Sequence, residues 1–380
     1  MDRRQQIGLI FTYNENWIGG TYYILNLVNA LNLLDDKDKP VLCVISEKRK
    51  HYEYLLRETQ YPYARFIRHS FDNLFVWKTL SVVLSKVLRR SVAFRQVRAP
   101  QADVFFPVIE PFWLSEVPEE KKIYWIPDFQ ENDLPELFSE EELIDRKSRQ
   151  VRIAVKGRRL VLSSEAAGRD FRLLYPFSKT DVSIVPFAVF HPSLEGVSFE
   201  SLKVRFDLEG PYFYCPNQFW VHKNHRVVIE AVAMLQREGI ACRVLFSGKE
   251  YDHRNQGHID ELKKMVKAAG LEGSVSFLGF LDRRDQLQLM NHATAIIQPS
   301  FCEGWSTVVE DAKALGKWVI ASSLDVHREQ LPRNAYFFDP RQAAGLAHIL
   351  QTKDFPPVVS GDYAGETQRF AGRFLDVIRQ

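Results

Sequence analysis

Long apolar runs are missing from this chain. No stretch approaches the roughly 20 residues that a membrane-spanning helix needs, and Lys78 and Lys86 interrupt the best candidate. Cysteine is scarce as well: Cys43, Cys215, Cys242 and Cys302 are the four in 380 residues, with no CxxC or CxxH pair among them. That argues against a disulfide framework or a structural zinc site. Net charge is small at +2, so the chain as a whole is not drawn to nucleic acid. The opening, MDRRQQIGLIFTYNE, has no apolar stretch of signal-peptide length. A cytoplasmic location in a reducing compartment is the expectation.

The charge that is present lies unevenly. Residues 65–98 carry eight Lys or Arg against a single acid, Asp72, and RKSRQVRIAVKGRR at 146–159 is a second basic run. The first run has two readings: a solvated helix face, or peripheral contact with anionic lipid or a lipid diphosphate at the inner face of a membrane.

Short apolar runs alternate with helical periodicity along the chain. IGLIFT (7–12), VLCVIS (41–46), ADVFFPV (102–108), KKIYWIPD (121–128), RRLVLSSE (158–165) and DVSIVPF (181–187) read as strands. A helix pattern follows the first of them, with Ile24, Leu27, Val28 and Leu31 on one stripe. After a break at HPSLEGVSFES (191–201), the series restarts with YFYCPN (212–217), CRVLFSG (242–248), SVSFLG (274–279), TAIIQP (294–299), KWVIAS (317–322) and AYFFD (335–339). Continuous β-branched and apolar runs separated by helices predict parallel sheets buried on both faces. A chain of 380 residues is long for one core. The expected fold is therefore α/β, with two doubly wound domains at 1–195 and 196–360 facing each other. An amphipathic helix at 361–380 is expected to pack back on the first.

In open parallel sheets, ligands bind beyond the carboxyl ends of the strands, and polar loops fall at four such places. In PSFCEGWSTVVEDAKALGKWVIAS (299–322), Gly304, Ser306 and Thr307 are small enough to admit a phosphate to a helix start. Glu303 and an acid of the first helical turn suit sugar or ribose hydroxyls. The plainer reading is that Glu310 and Asp311 complement the helix dipole. In NQFWVHKNHR (217–226), Lys223 opposes the dipole of the helix it precedes, so it is either a diphosphate ligand or a solvated lysine. Gly19-Gly20 opens a helix as a side-chain-free turn. Asp128, in IPDFQENDLPELFSEEE (126–142), is either a partner for a substrate hydroxyl or the cap of the next turn.

Together these residues resemble the retaining GT-B glycosyltransferases of glycosyltransferase family 4. The carriers are YCPNQFWVHKNH, VLFSGKEYDHRN, VSFLGFLDRRD and PSFCEGWSTVVEDAKALGKWVIAS, with weaker support from Gly19-Gly20, IPDFQ at 126–130 and LVLSSEAAGRDF at 160–171. The resemblance implies two Rossmann-like domains across a cleft and hexosyl transfer with retention from a nucleoside diphosphate sugar. It implies no metal and no other cofactor, and an acceptor, a glycan or a lipid-linked one, on the first domain. Surface-polysaccharide or lipid-linked glycan assembly is the process it suggests by analogy. It places Glu303 on the donor sugar, Lys223 on the phosphates and the backbone of Gly304, Trp305, Ser306 and Thr307 against the diphosphate. Asp311 takes the ribose by register, with Glu310 as second choice. Gly19, Gly20, Asn217, Gln218, Gly248 and Phe280 complete the donor site, and Asp128 joins Glu303 and Lys223 as a catalytic candidate. The chain departs from the family pattern at Gln218, where an arginine is usual, at Asp311, where glutamate is usual, and at Pro127-Asp128, where many members have His-Asp. Two rivals remain open: a degenerate GT-B binding module, and a sugar-nucleotide epimerase or phosphorylase on the same fold.

Overall fold

The computed structural model describes residues 4–69, 101–109, 114, 116–252, 254–331, 333–358 and 361–380. Among the described residues the apolar runs form two all-parallel sheets. The first comprises β1 (Gln6–Ile10), β2 (Val41–Ser46), β3 (Ala64–Arg68), β4 (Val104–Val108), β5 (Lys122–Trp125), β6 (Arg159–Leu162) and β7 (Asp181–Ile184), in the order β3-β2-β1-β4-β5-β6-β7. The second comprises β8 (Phe213–Cys215), β9 (Val244–Phe246), β10 (Val275–Phe277), β11 (Ile296–Gln298), β12 (Val319–Ser322) and β13 (Ala335–Phe338), in the order β10-β9-β8-β11-β12-β13. The strand order reverses beside β1 and again beside β8, which opens a crevice at the carboxyl edge of each sheet.

Alternate residues of each strand enter cores on opposite faces. Ile7 and Leu9 of β1 join one cluster and Ile10 joins another. Val244 and Phe246 of β9 pack on one side, with Leu245 on the other. Helices cover both faces, so the strands contain no polar alternation. β3 is the exception. It lies at the sheet edge with residues that are partly buried or, at Arg65 and Arg68, exposed, and its Arg-Phe-Ile-Arg pattern merges with the basic run that begins at residue 65. Residues 65–68 are thus an edge strand, not part of a basic helix face. Residues 70–98 of that run, and with them the expected lipid contact, lie outside the described residues. Among the described residues no helix is long and apolar enough to cross a membrane.

The helix Phe199–Phe206 buries Leu202 in the core of the second sheet. The terminal helix Tyr363–Arg379 returns to the first domain, where Phe370, Phe374, Leu375 and Ile378 join the cluster around β1 and the helix Ile18–Asn32. Gln5 Nε2 donates to Ile378 O at 2.7 Å, and Arg159 to Val377 O at 3.2 Å, which fastens the end of that helix.

Candidate active site

The carboxyl ends of β8 and β11 supply the core of one cleft. After β8 the chain makes a short 3-10 turn, Val221–Lys223, which ends at Asn224 in the left-handed region. Asparagine tolerates that conformation better than most residues. Its amide donates to Pro299 O at 3.1 Å and Pro340 O at 2.9 Å, and so ties the loop to the one after β11. The tie delivers Lys223 to Glu303, Nζ to Oε1 at 2.5 Å. Gln298 and Ser300 donate to the same Oε1, each at 2.7 Å. Glu303 Oε2 has no hydrogen bond within the described residues and is left for a ligand. Burial pushes the Glu303 carboxyl up, but Lys223, His327 and the hydrogen bonds from Lys223 and Ser300 outweigh it and hold it below the ordinary glutamate value.

Next to Glu303 begins the helix Thr307–Ala314. Ser306 caps it by accepting from Val309 N at 3.4 Å, and Gln330 fixes the Ser306 backbone with bonds of 3.1 and 2.8 Å. Thr307 and Val308, whose amides this cap does not use, line the cleft. Gly304 is required for a reason the sequence did not reveal: a Cβ there would sit 1.8 Å from Pro127 O of the first domain. The two domains meet backbone to backbone at that point. Gly248 is a second close approach, since a Cβ on it would lie 2.2 Å from Asn217 O. Trp305 spends its indole on the first domain, donating to Phe187 O at 3.1 Å.

The facing wall belongs to the first domain. Gly19 and Gly20 line it at the start of the helix Ile18–Asn32, together with Tyr22, Trp125 and Asp128. Asp128 Oδ1 accepts from Gln130 N at 3.3 Å and stands 4.0 Å from Arg146. Its neighbour Glu131 is buried and held by Arg146 and Gln150, so it serves the fold rather than a ligand. Gln218 reaches across the cleft to donate to Glu15 O at 3.3 Å, and Asn217 is buried against Gln298 at 3.1 Å. Phe280 lines the cleft with an exposed ring. A side chamber adjoins, sharing Trp17, Trp125, Asp128, Gln130 and Trp220 with the cleft and adding Arg146, Arg149 and Arg254.

Of the residues that the sequence singles out for the site, Glu310 alone is absent from the lining of the cleft. It points into the fold, where Lys313, Gln330 and Tyr363 bond it at 2.8, 2.9 and 2.7 Å. Burial raises its carboxyl even so. Asp311 faces the cleft but is engaged by Arg283 and by His191 of the linker. The sequence reading missed both partners. Arg283 carries a signal that could have found it, a cation in the first turn of the helix Arg283–His292. His191 sits in a Pro/Gly/Ser-rich break and offers none. Among the described residues no group of three or more His, Cys, Asp or Glu is arranged to hold a metal ion.

Residues 199–352 match the family model of glycosyl transferases group 1. No curated protein matches the chain. Among solved structures, a glycosyltransferase from Rickettsia africae ESF-5 is similar over 100% of this chain and 94% of its own, with a TM-score of 0.65 at 15% identity. HepE from Anabaena, solved in complex with UDP and glucose, aligns over 99% of this chain and 95% of its own, with a TM-score of 0.63 at 15% identity. Sucrose-phosphate synthase from Thermosynechococcus elongatus covers 99% and 94%, with a TM-score of 0.62 at 14% identity. The architecture is that of the GT-B fold, two Rossmann-like domains across a cleft, and its second domain is the part that matches the group 1 glycosyl transferases.

Proposed function

We propose that the protein is a glycosyltransferase that moves a hexosyl group from a nucleoside diphosphate sugar to an acceptor hydroxyl. One observation carries the reading. Lys223 and Glu303 are paired in the cleft beside the start of the helix Thr307–Ala314, with Glu303 Oε2 open. The ammonium and the first helical amides suit the diphosphate, whose charge grows as it departs; fixed donors of this kind are the largest catalytic term in many enzymes. The free Glu303 oxygen suits a hydroxyl of the donor sugar. Asp128 on the opposite wall suits the incoming acceptor hydroxyl, with the adjoining chamber as its route. HepE, whose structure holds UDP and glucose, supports this class of donor. Retention, independence of metal, a glycan or lipid-linked acceptor and a role in surface glycan assembly belong to the same reading and rest on the resemblance.

Gln218 favours a second reading, a nucleotide-binding module without turnover. It is neutral where the resemblance expects an arginine, and its amide is spent on Glu15 O. A thermal-shift panel of UDP, GDP, ADP and dTDP tests the site. A ligand at a hundredfold excess over its Kd adds about 2.7 kcal/mol of stability. One of the four is expected to shift the melting temperature, and Lys223→Met is expected to abolish that shift. Slow hydrolysis of the matching nucleotide sugar then separates enzyme from module. No shift with any of the four would refute the proposal.

A further inference from the structure

Asp311 is the acid that register assigns to the ribose hydroxyls, yet its carboxylate has little left to offer them. Arg283 donates to both oxygens, Nη1 to Oδ2 at 2.7 Å and Nη2 to Oδ1, and His191 Nε2 stands 3.0 Å from Oδ1. A carboxylate has about four acceptor positions, so three are filled. The Asp311 side chain is 1% exposed, whereas that of Arg283 keeps 17% and lines the cleft. The accessible member of the pair is the arginine.

Its supply of donors points the same way. A guanidinium carries five N–H groups. Two are used on Asp311 and one on Gln286 Oε1 at 3.3 Å, so two remain. The group is also held from the first domain, lying 5.0 Å over the ring of Tyr22. Asp311 grips one edge and the tyrosine supports a face, which orients the fork without consuming it.

We propose that Arg283, not Asp311, meets the nucleoside half of the donor, and that Asp311 and His191 act as positioning residues that aim it. The inference rests on reading the cleft as a nucleotide site. It reverses the polarity of recognition. An acid selects ribose hydroxyls that donate a proton, whereas a guanidinium here selects atoms that only accept one, the ribose ring oxygen or a carbonyl oxygen or ring nitrogen of the base.

The experiment uses the full chain, isothermal calorimetry, and whichever of UDP, GDP or ADP gives the largest thermal shift. It is compared with its 2′-fluoro and 3′-fluoro analogues, which cannot donate from the replaced position. Under the proposal the analogues bind within about threefold of the parent. Arg283→Lys keeps a charge for Asp311 but loses the fork, and is expected to weaken all three ligands by tenfold or more. A tenfold preference for the parent over either analogue, or normal binding by Arg283→Lys, overturns the assignment. If the lysine variant does not fold, the analogue comparison on the unaltered protein decides by itself. Failure of every nucleotide to bind would instead remove the proposed function, and this inference with it.

Discussion

Taking one partner out of the Lys223–Glu303 pair leaves the other charge largely buried. The side chains are only 16% and 9% exposed, and stranding a charge of this kind costs roughly 3–5 kcal/mol when burial is complete. Lys223→Met and Glu303→Gln are therefore each expected to lose stability towards the lower end of that range. Each is also expected to lose about a hundredfold or more in turnover, the scale for one preorganised charge contact. The double variant restores neutrality, so it should recover most of the stability and none of the activity. The acid limb checks the sign. The folded carboxyl of Glu303 titrates below its ordinary value of 4.5, so its contribution is present above about pH 4.5 and is lost as pH falls through the lowered folded value. Urea midpoints at several pH values and initial rates measure both, and a double variant no more stable than the singles would contradict the pairing argument. These two residues were legible in the sequence because each offends a local rule, a cation ahead of a helix and an acid outside one. Arg283 offends in the same way, as a cation in the first turn of its helix. His191 could not be read at all, because its partner Asp311 lies 120 positions away.

The helix His225–Arg237 begins with a histidine that is fully buried, stacked on Phe219 at 4.5 Å and edge-on to Phe246 at 5.2 Å. Its ring nitrogens make no hydrogen bond of good geometry among the described residues, and the backbone of Asn217 is the hydrogen-bonding group that opposes the effect of burial. Burial, with the nearby His258, lowers its pKa to about 3. The ring is thus neutral in the folded state, while in the unfolded chain it titrates near pH 6.5. Its contribution to stability is complete above about pH 6.5 and is withdrawn as pH falls towards 3. Burial shifts His222, His258 and His327 in the same direction, so the second domain should weaken markedly on mild acidification. His225→Phe keeps a ring between the same aromatics and removes the titration. Urea midpoints at pH 7.5, 6 and 5 should fall less steeply in this variant, and an unchanged slope would count against the assignment. At this scale the sequence was most informative. Strands buried on both faces appear as unbroken apolar runs, and the small residues Gly304, Ser306 and Thr307 mark a helix start. β3 was hidden because an edge strand needs no continuous apolar run, and its arginines resembled the basic stretch that follows.

Two successive arrays of strand and helix make the number of domains readable, but not the way they meet, because the bonds that decide it join distant residues. The terminal helix Tyr363–Arg379 shows this: Tyr363 bonds Glu310 of the second domain at 2.7 Å and accepts from Val189 N of the first domain at 2.9 Å, while the rest of the helix packs on the first. The clearest bridge is a helix cap made across the domains. The helix Glu165–Leu174 of the first domain has Ser164 as its own cap for Ala167 N at 3.0 Å. Its two earlier amides, Glu165 N and Ala166 N, donate instead to the carboxylate of Glu329 in the second domain, at 2.9 and 3.2 Å. Arg169 and Asp325 pair beside them at 2.9 Å, though both are exposed and add little. Such a cap exists only while the domains are together. Removing a capping side chain costs about 1 kcal/mol, and about 1.4 kcal/mol is a tenfold change in an equilibrium. Glu329→Ala should therefore shift the protein several-fold towards an open arrangement and weaken nucleotide binding by up to the same factor. The melting temperature should hardly move, because each domain keeps its own core. Small-angle scattering with and without nucleotide reads the opening, and calorimetry reads the affinity. If the variant matches the parent in both, Glu329 is a surface acid resting on a helix end and closure depends on the Gly304–Pro127 contact instead.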